Sequence, residues 1–331
     1  MHETLILSRG DVAAAMDLGS WLEAVETAFA AGARGDAWSP LPMHVEGEGG
    51  GFHAKGAALR LDGGLYVAVK LNGNFPGNLA ERGLPTIQGA ILLSEGRDGR
   101  LLAIMDSIEV TIRRTAAATA LAARYLARPD SASTLVCGCG EQGRAQLEAL
   151  AAVLPLRRAV AFDADQARAE AFAAEMGGRL GIEVTVTRDL AGAARSADVI
   201  AACTPSAKPY LRRAMVAPGA FVAAVGADSP AKSELLPDLF EGTLVVADVI
   251  AQCAEMGDLR HALAAGALAP EGVHAELAEL VSGARPGRTS DDQITVFDST
   301  GTALQDVAAA VSVYRRCSGR PGAVRIALGD A

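Results

Sequence analysis

The stretch Thr134-Leu135-Val136-Cys137 runs directly into Gly138-Cys139-Gly140-Glu141-Gln142-Gly143, and then into a helical pattern with Leu147, Leu150 and Val153 on one side. A short apolar strand, a glycine-rich turn and a helix in that order leave few folds open. Gly138 permits the tight turn, Gly140 lets the backbone approach a pyrophosphate, and Gly143 lets helix and strand pack closely. The helix start at Glu141 and Gln142 offers backbone N–H groups and a favourable dipole to phosphate. A bare GxGxxG is weak evidence, so the context carries the weight. The next apolar strand, Ala159–Phe162, ends at Asp163, 20 residues beyond Gly143. A carboxylate there can accept from ribose hydroxyls and would repel a 2′-phosphate, which favours NAD over NADP. Two alternatives stay open: Asp163 as the cap of the following helix, and Arg168, one turn on, as a partner for NADP.

The texture around the loop fits. Strand candidates are Thr134–Cys137, Ala159–Phe162, Glu183–Val186, Val199–Ala202, Phe221–Val225, Leu244–Ala247 and Ile294–Phe297, most of them separated by helical stretches. Such alternation predicts an α/β fold with a parallel sheet covered by helices on both faces. In such sheets the loops at strand C-termini face the ligand. Thr204-Pro205-Ser206 follows one of these strands, so Thr204 or Ser206 could touch ribose or nicotinamide, or form an ordinary turn. Val225 ends another, and Asp228 follows it. Asp228 could take a proton from a substrate amine or stabilise an iminium, or it could be a turn residue before Ser229-Pro230.

Residues before about 108 read differently. Leu18, Trp21, Leu22, Val25 and Phe29 recur at helical spacing over Asp17–Ala33. Glu46–Gly51 reads as a turn or mobile loop. Strand-like segments follow at Gly51–Leu59, Leu65–Leu71, Pro85–Ser94 and Leu101–Asp106, with Asp98-Gly99 as a hairpin signal between the last two. A long Ala-rich helix follows, with Thr111 as its cap and Pro129 as its stop. After Thr302 one more helix runs to about Cys317, and Val324–Leu328 looks like a final strand. This C-terminal piece could return to the first region. The expected architecture is therefore a Rossmann dinucleotide-binding domain, 113–302, inserted into a mixed α+β domain formed by 1–112 and completed by 303–331.

Composition excludes several classes. Net charge is −9 without a basic patch, so no nucleic-acid partner is expected. The N-terminal residues lack a basic stretch followed by a long apolar run, and no uncharged run reaches membrane-spanning length, so neither a signal peptide nor a membrane partner is expected. Five cysteines, an odd number without a CxxC pair, argue against a disulfide framework and a zinc knuckle. The expected location is the cytoplasm, and no metal is expected.

Several motifs, in order, resemble the ornithine cyclodeaminase/mu-crystallin family. They are Lys70-Leu71-Asn72-Gly73-Asn74-Phe75-Pro76-Gly77-Asn78, Leu84-Pro85-Thr86, Arg114-Thr115-Ala116-Ala117, the glycine loop, Gly226-Ala227-Asp228-Ser229-Pro230 before Lys232-x-Glu234-Leu235, and Asp292–Ser299. The resemblance spans roughly residues 65 to 300. It implies NAD-dependent hydride transfer at the α-carbon of an amino or imino acid, and a homodimer formed through the first domain. Lys70 and Arg114 would then grip the substrate carboxylate, with Lys70 also catalytic, and Thr86 would lie in the substrate site. Without the resemblance, Lys70 reads as a surface lysine on an edge strand. One departure is plain: the early family arginine is missing from Pro42–Gly47. His53 and Lys55, alternating on one strand face, either replace it or form a solvated face. Three functions follow: a cyclodeaminase, an amino-acid dehydrogenase or ketimine reductase, and a non-catalytic NADH or small-ligand binder.

Overall fold

A computed structural model describes residues 3–328. The chain divides into two compact units, one running to Arg114 and resuming at Thr302, the other Thr115–Gly301. The sequence alone places these divisions at 112/113 and 302/303.

The first unit holds β1 (Thr4–Leu7), β2 (Ala37–Trp38), β3 (Met43–Gly47), β4 (Gly50–Leu61), β5 (Gly64–Asn74), β6 (Ile87–Glu95) and β7 (Leu101–Asp106). With the last strand, Val324–Ile326, they form one sheet in the order Val324–Ile326, β1, β7, β6, β5, β4, β2, and β3 also pairs with β4. Only β1–β7 is parallel; the other pairs are antiparallel. Period-2 alternation gives the sheet two different faces. On one, Leu59, Ala57 and Ala68 are buried against the helix Ala303–Cys317, which also packs on the helix Leu18–Ala33. Further along the same face the residues turn polar: Lys55 lies opposite Lys70, and His53 opposite Asn72. The other face leaves Met43, Val45, Phe52, Val69, Leu71 and Leu92 exposed.

Of the two readings of Glu46–Gly51, the turn holds: β3 and β4 close a hairpin across it, with Gly49 in the left-handed region at φ 79°. β3 escaped notice although Met43 and Val45 alternate with His44 and Glu46, because the pattern spans only four residues before the glycines begin. Two expectations need correction here. Thr111 is not a helix cap, because the helix already starts at Ser107 and runs to Leu126. Lys70 is not on an edge, because β5 is hydrogen-bonded on both sides, to β4 and β6.

The second unit holds β8 (Ser133–Cys137), β9 (Arg158–Phe162), β10 (Glu183–Val186), β11 (Val199–Ala202), β12 (Phe221–Ala224), β13 (Leu244–Ala247), β14 (Ala275–Glu276) and β15 (Thr295–Asp298). All pair in parallel, in the order β10-β9-β8-β11-β12-β15-β13-β14. This is the doubly wound α/β arrangement, with its switch point between β8 and β11, where such sheets bind dinucleotides. Every residue of β8, β11, β12 and β15 is buried. Helices cover both faces of such a sheet, which is why these strands read as continuous apolar runs. The short edge strand β14 was not expected; two residues carry no periodicity to read.

Candidate active site

The glycine loop connects β8 to the helix Glu141–Val153, and each glycine meets a different demand. Gly138 has φ 99°, and a Cβ there would lie 2.9 Å from the Cys203 carbonyl oxygen. Gly143 has no room at all, because a Cβ would run into the Gly138 carbonyl oxygen. Gly140 is the reverse: nothing lies within 4 Å of where its Cβ would be. It caps the helix without a side-chain hydrogen bond, so the helix start faces open space. Open space at a helix N-terminus is the kind of place where a phosphate can bind. Arg144 braces the loop, donating from Nη1 to the Cys139 and Gly140 carbonyls at 2.6 and 3.2 Å.

Asp163 stands beside this loop at the end of β9. Its carboxylate accepts from the Cys139 N–H at 2.8 Å and the Asp165 N–H at 2.9 Å. It is not the helix cap; Asp165 does that, accepting from the Ala167 and Arg168 N–H groups. The sequence left Asp163 open as that cap, and the structure gives the cap to Asp165 instead. Arg168 lies 3.8 Å from Asp165, a half-exposed pair.

The loops after β11 and β12 carry the remaining candidates of this unit. Val225 continues β12, its N–H donating to the Ala202 carbonyl. Asp228 is exposed at the end of that loop, 2.6 Å from Lys232 Nζ. Ser206 closes a tight turn, donating to the Lys208 carbonyl at 2.7 Å. The Thr204 hydroxyl donates at 2.6 Å to Glu234, a wholly buried carboxylate within one of the family motifs, for which the sequence suggested no role.

In the first unit the structure gathers Lys70 and Arg114 around an acid that sequence reasoning missed. Lys70 Nζ lies 2.7 Å from Asp306 Oδ2, and Arg114 Nε donates to Asp306 Oδ1 at 3.0 Å. Lys70 also reaches the Thr111 hydroxyl at 3.3 Å, and Arg114 Nη1 reaches Gln305 Oε1 at 3.4 Å. All three charged side chains are 5% exposed or less. Burial pushes the Lys70 amine down to about 7, helped by Arg114 and Lys55 and opposed by Asp306. Burial alone would raise Asp306, but Lys70 and Arg114 outweigh it and hold the carboxyl below its usual range. Asp306 was visible in principle: it is an acid within the otherwise apolar buried stripe Ala303, Asp306, Val307, Ala310 of its helix.

Lys55 and His53 share the face of Lys70 rather than the opposite one. His44, from the segment that lacks the family arginine, faces His53 across β3, with ring nitrogens 3.3 Å apart. Asn72, on the same face, accepts from the Ser107 hydroxyl at 2.6 Å. Thr86 precedes β6, and its carbonyl accepts from the Phe75 N–H at 2.8 Å.

A doubly wound sheet with a phosphate cradle, joined in one chain to a second unit bearing a buried Lys–Asp–Arg cluster, defines a dinucleotide-dependent class of protein. The family is narrower. The ornithine cyclodeaminase/mu-crystallin family profile matches residues 2–320, and the chain belongs to that family. The alanine dehydrogenase of Archaeoglobus fulgidus is 37% identical over 312 residues, 94% of each chain. Among solved structures, an archaeal alanine dehydrogenase dimer with bound NAD superposes with TM-score 0.93 at 36% identity, covering 99% of this chain and 100% of that one. The Δ1-pyrroline-2-carboxylate reductase of Thermococcus litoralis, in complex with NADH and L-proline, gives 0.91 at 30% identity, covering 95% and 98%.

Proposed function

We propose that this chain is an NAD-dependent enzyme that transfers hydride at the α-carbon of a small amino or imino acid, in the manner of an amino-acid dehydrogenase or ketimine reductase. The observation that carries this reading is the Lys70–Asp306–Arg114 cluster. Two buried cations share one buried anion, so an incoming carboxylate would offset the remaining positive charge. Arg114 offers a planar fork suited to a carboxylate. Lys70, with its amine brought near neutrality, can hold or release a proton at the substrate nitrogen. Asp228 is the second proton acceptor.

NAD, when bound, supplies the hydride acceptor or donor. Gly138–Gly143 would cradle its pyrophosphate, and Asp163 would accept from its ribose hydroxyls. Thr204, Ser206 and Val225 would border the nicotinamide side. The fit rests on the open space at Gly140 and on a helix N-terminus whose cap residue carries no side chain. The named relatives that bind NAD or NADH support the same cofactor.

The substrate face favours dehydrogenase or reductase chemistry over cyclodeamination. Lys55, His53 and His44 extend from Lys70 along one face. That arrangement suits a carboxylate better than the second ammonium of a diamino acid. Thr86 remains a substrate-contact candidate. The outer face of the same sheet, with six exposed large apolar side chains, supports a homodimer, since exposed patches of this kind mark interfaces. The five unpaired cysteines suit a reducing compartment, the cytoplasm. No helix among the described residues is long and apolar enough to cross a membrane.

One assay tests the reading. Purified protein is supplied with NAD⁺ and a panel of 2-amino acids, and separately with NADH and cyclic imines, while NADH and ammonia are followed. NADH formed together with ammonia, or NADH consumed with a cyclic imine, is the expected result. Ammonia without net NADH would instead make it a cyclodeaminase. NADH binding without any turnover would leave a binding protein and sink the proposal.

A further inference from the structure

The loops after β11 and β12 are separate in sequence, yet one side chain grips both. Glu234 Oε1 accepts from the Thr204 N–H at 2.7 Å, the Thr204 hydroxyl at 2.6 Å and the Tyr210 hydroxyl at 2.6 Å. Its other oxygen, Oε2, accepts from the Gly226 N–H at 2.9 Å. Gly226 has to be glycine, because a Cβ there would run into Thr204 O and Glu234 Oε2. The backbone of Glu234 is fixed in turn: its N–H and that of Leu235 donate to Asp258 Oδ1 at 2.8 and 3.1 Å. Burying a carboxylate without a cation is costly, and no ion pair to Glu234 occurs among the described residues. Four well-placed donors compensate, and two of them are the backbone of the loops that border the ligand edge of the sheet.

We propose that Glu234 is a positioning residue: it clamps the Thr204 loop to the Gly226-Ala227-Asp228 loop and so fixes where Asp228 presents its carboxylate. The proposal rests on the reading of Asp228 as a proton acceptor. A protonated Glu234 would turn a hydrogen toward a donor, so the clamp needs the ionised form. Burial, with a smaller push from Asp258, raises this carboxyl to about 7 against the pull of the Thr204 and Tyr210 donors. The titratable groups that face it are Tyr210, Asp258, Cys137 and Cys203.

Glu234→Gln keeps the size and removes the charge, and it opposes one amide N–H₂ to a donor. Displacing a catalytic group by about 1 Å can cost roughly a hundredfold. In the NADH-loaded enzyme we expect kcat to fall about tenfold or more, while KM and NADH affinity move less than about twofold. Amide exchange should quicken in residues 203–206 and 225–229, with no loss of melting temperature at pH 8, because a buried charge has gone. Gly226→Ala breaks the same contact from the other side, so the double variant should lose little more than the worse single one. A Glu234→Gln enzyme with wild-type kcat, or unchanged exchange in both loops, would overturn the clamp, and so would losses that multiply. If Glu234→Gln does not fold, Tyr210→Phe removes one donor and should show the same exchange change, smaller; no change there also overturns it. The exchange measurement needs no substrate, so a wild-type protein that turns nothing over would sink the proposed reaction without touching the clamp.

Discussion

The two units build their candidate sites by different means. In the second, the proposed nucleotide cradle is made almost wholly of backbone: a left-handed Gly138, an open Gly140, a Gly143 pressed on a carbonyl, and the N-terminus of a helix. In the first, the proposed substrate cluster is made of side chains from three distant places, Lys70 on β5, Arg114 on the helix Ser107–Leu126 and Asp306 on the helix Ala303–Cys317. A backbone device needs consecutive residues and leaves a short motif. A side-chain device needs only a fold that brings its parts together.

The sharpest way to break this comparison is at Asp306. Asp306→Asn leaves Lys70 and Arg114 buried without their shared anion. Breaking a buried ion pair typically costs about 3–5 kcal/mol, so the first unit should lose stability on that scale. Both tryptophans, Trp21 and Trp38, lie in that unit, so their fluorescence in urea reports it directly. Turnover should fall with it, whereas NADH affinity in the folded protein should hold. A change below about 1 kcal/mol would show that the cluster is not electrostatically coupled.

The next contrast is in pH. Lys70 sits below its ordinary 10.5, at about 7. Between those values the unfolded chain holds a proton that the native state has released, so stability rises with pH there. Glu234 is the mirror case: its carboxyl is raised from 4.5 to about 7, so its favourable contribution below 4.5 is lost as pH climbs to 7. A tenfold change in proton affinity is worth ~1.4 kcal/mol, so each limb amounts to a few kcal/mol at most. Lys70→Met should flatten the alkaline limb read by tryptophan fluorescence. Glu234→Gln should flatten the acid limb read by amide exchange of β11 and β12. Limbs of the opposite sign, or limbs that survive substitution, would reassign both groups.

What was legible in the sequence follows the same division. The strands of the second unit were read nearly residue for residue, because a sheet buried on both faces needs unbroken apolar runs and its turns need glycine. Asp163 was located by counting from the loop, but only the structure gave the helix cap to Asp165. In the first unit, Lys70 and Arg114 were singled out by resemblance rather than by pattern, and Asp306 was passed over. No local rule says that an acid on a helix after residue 302 will meet a lysine at residue 70. Lys55 and His53 had the right period, yet period alone does not say which face is inward; the register with Lys70 and Asn72 does. β3 was missed because its alternation of Met43 and Val45 with His44 and Glu46 covers only four residues before the glycines begin.

The smallest effect separates fold from ligand within the glycine loop itself. Gly143→Ala would drive a methyl group into the Gly138 carbonyl, and overpacking of this kind costs about 1–3 kcal/mol. Gly140→Ala meets nothing within 4 Å and sits at φ −81°, open to any residue, so the free protein should change by less than about 0.5 kcal/mol. On the proposed reading, that same empty space is where the pyrophosphate would approach. NADH affinity of Gly140→Ala should therefore drop about tenfold, ~1.4 kcal/mol, with no matching loss of stability. Urea unfolding and NADH fluorescence titration on the two variants give both numbers. If Gly140→Ala bound NADH normally, the space beside the helix start would not be the phosphate site. If it destabilised as much as Gly143→Ala, the loop would be a packing device, and the contrast between a backbone cradle and a side-chain cluster would fail at its simpler end.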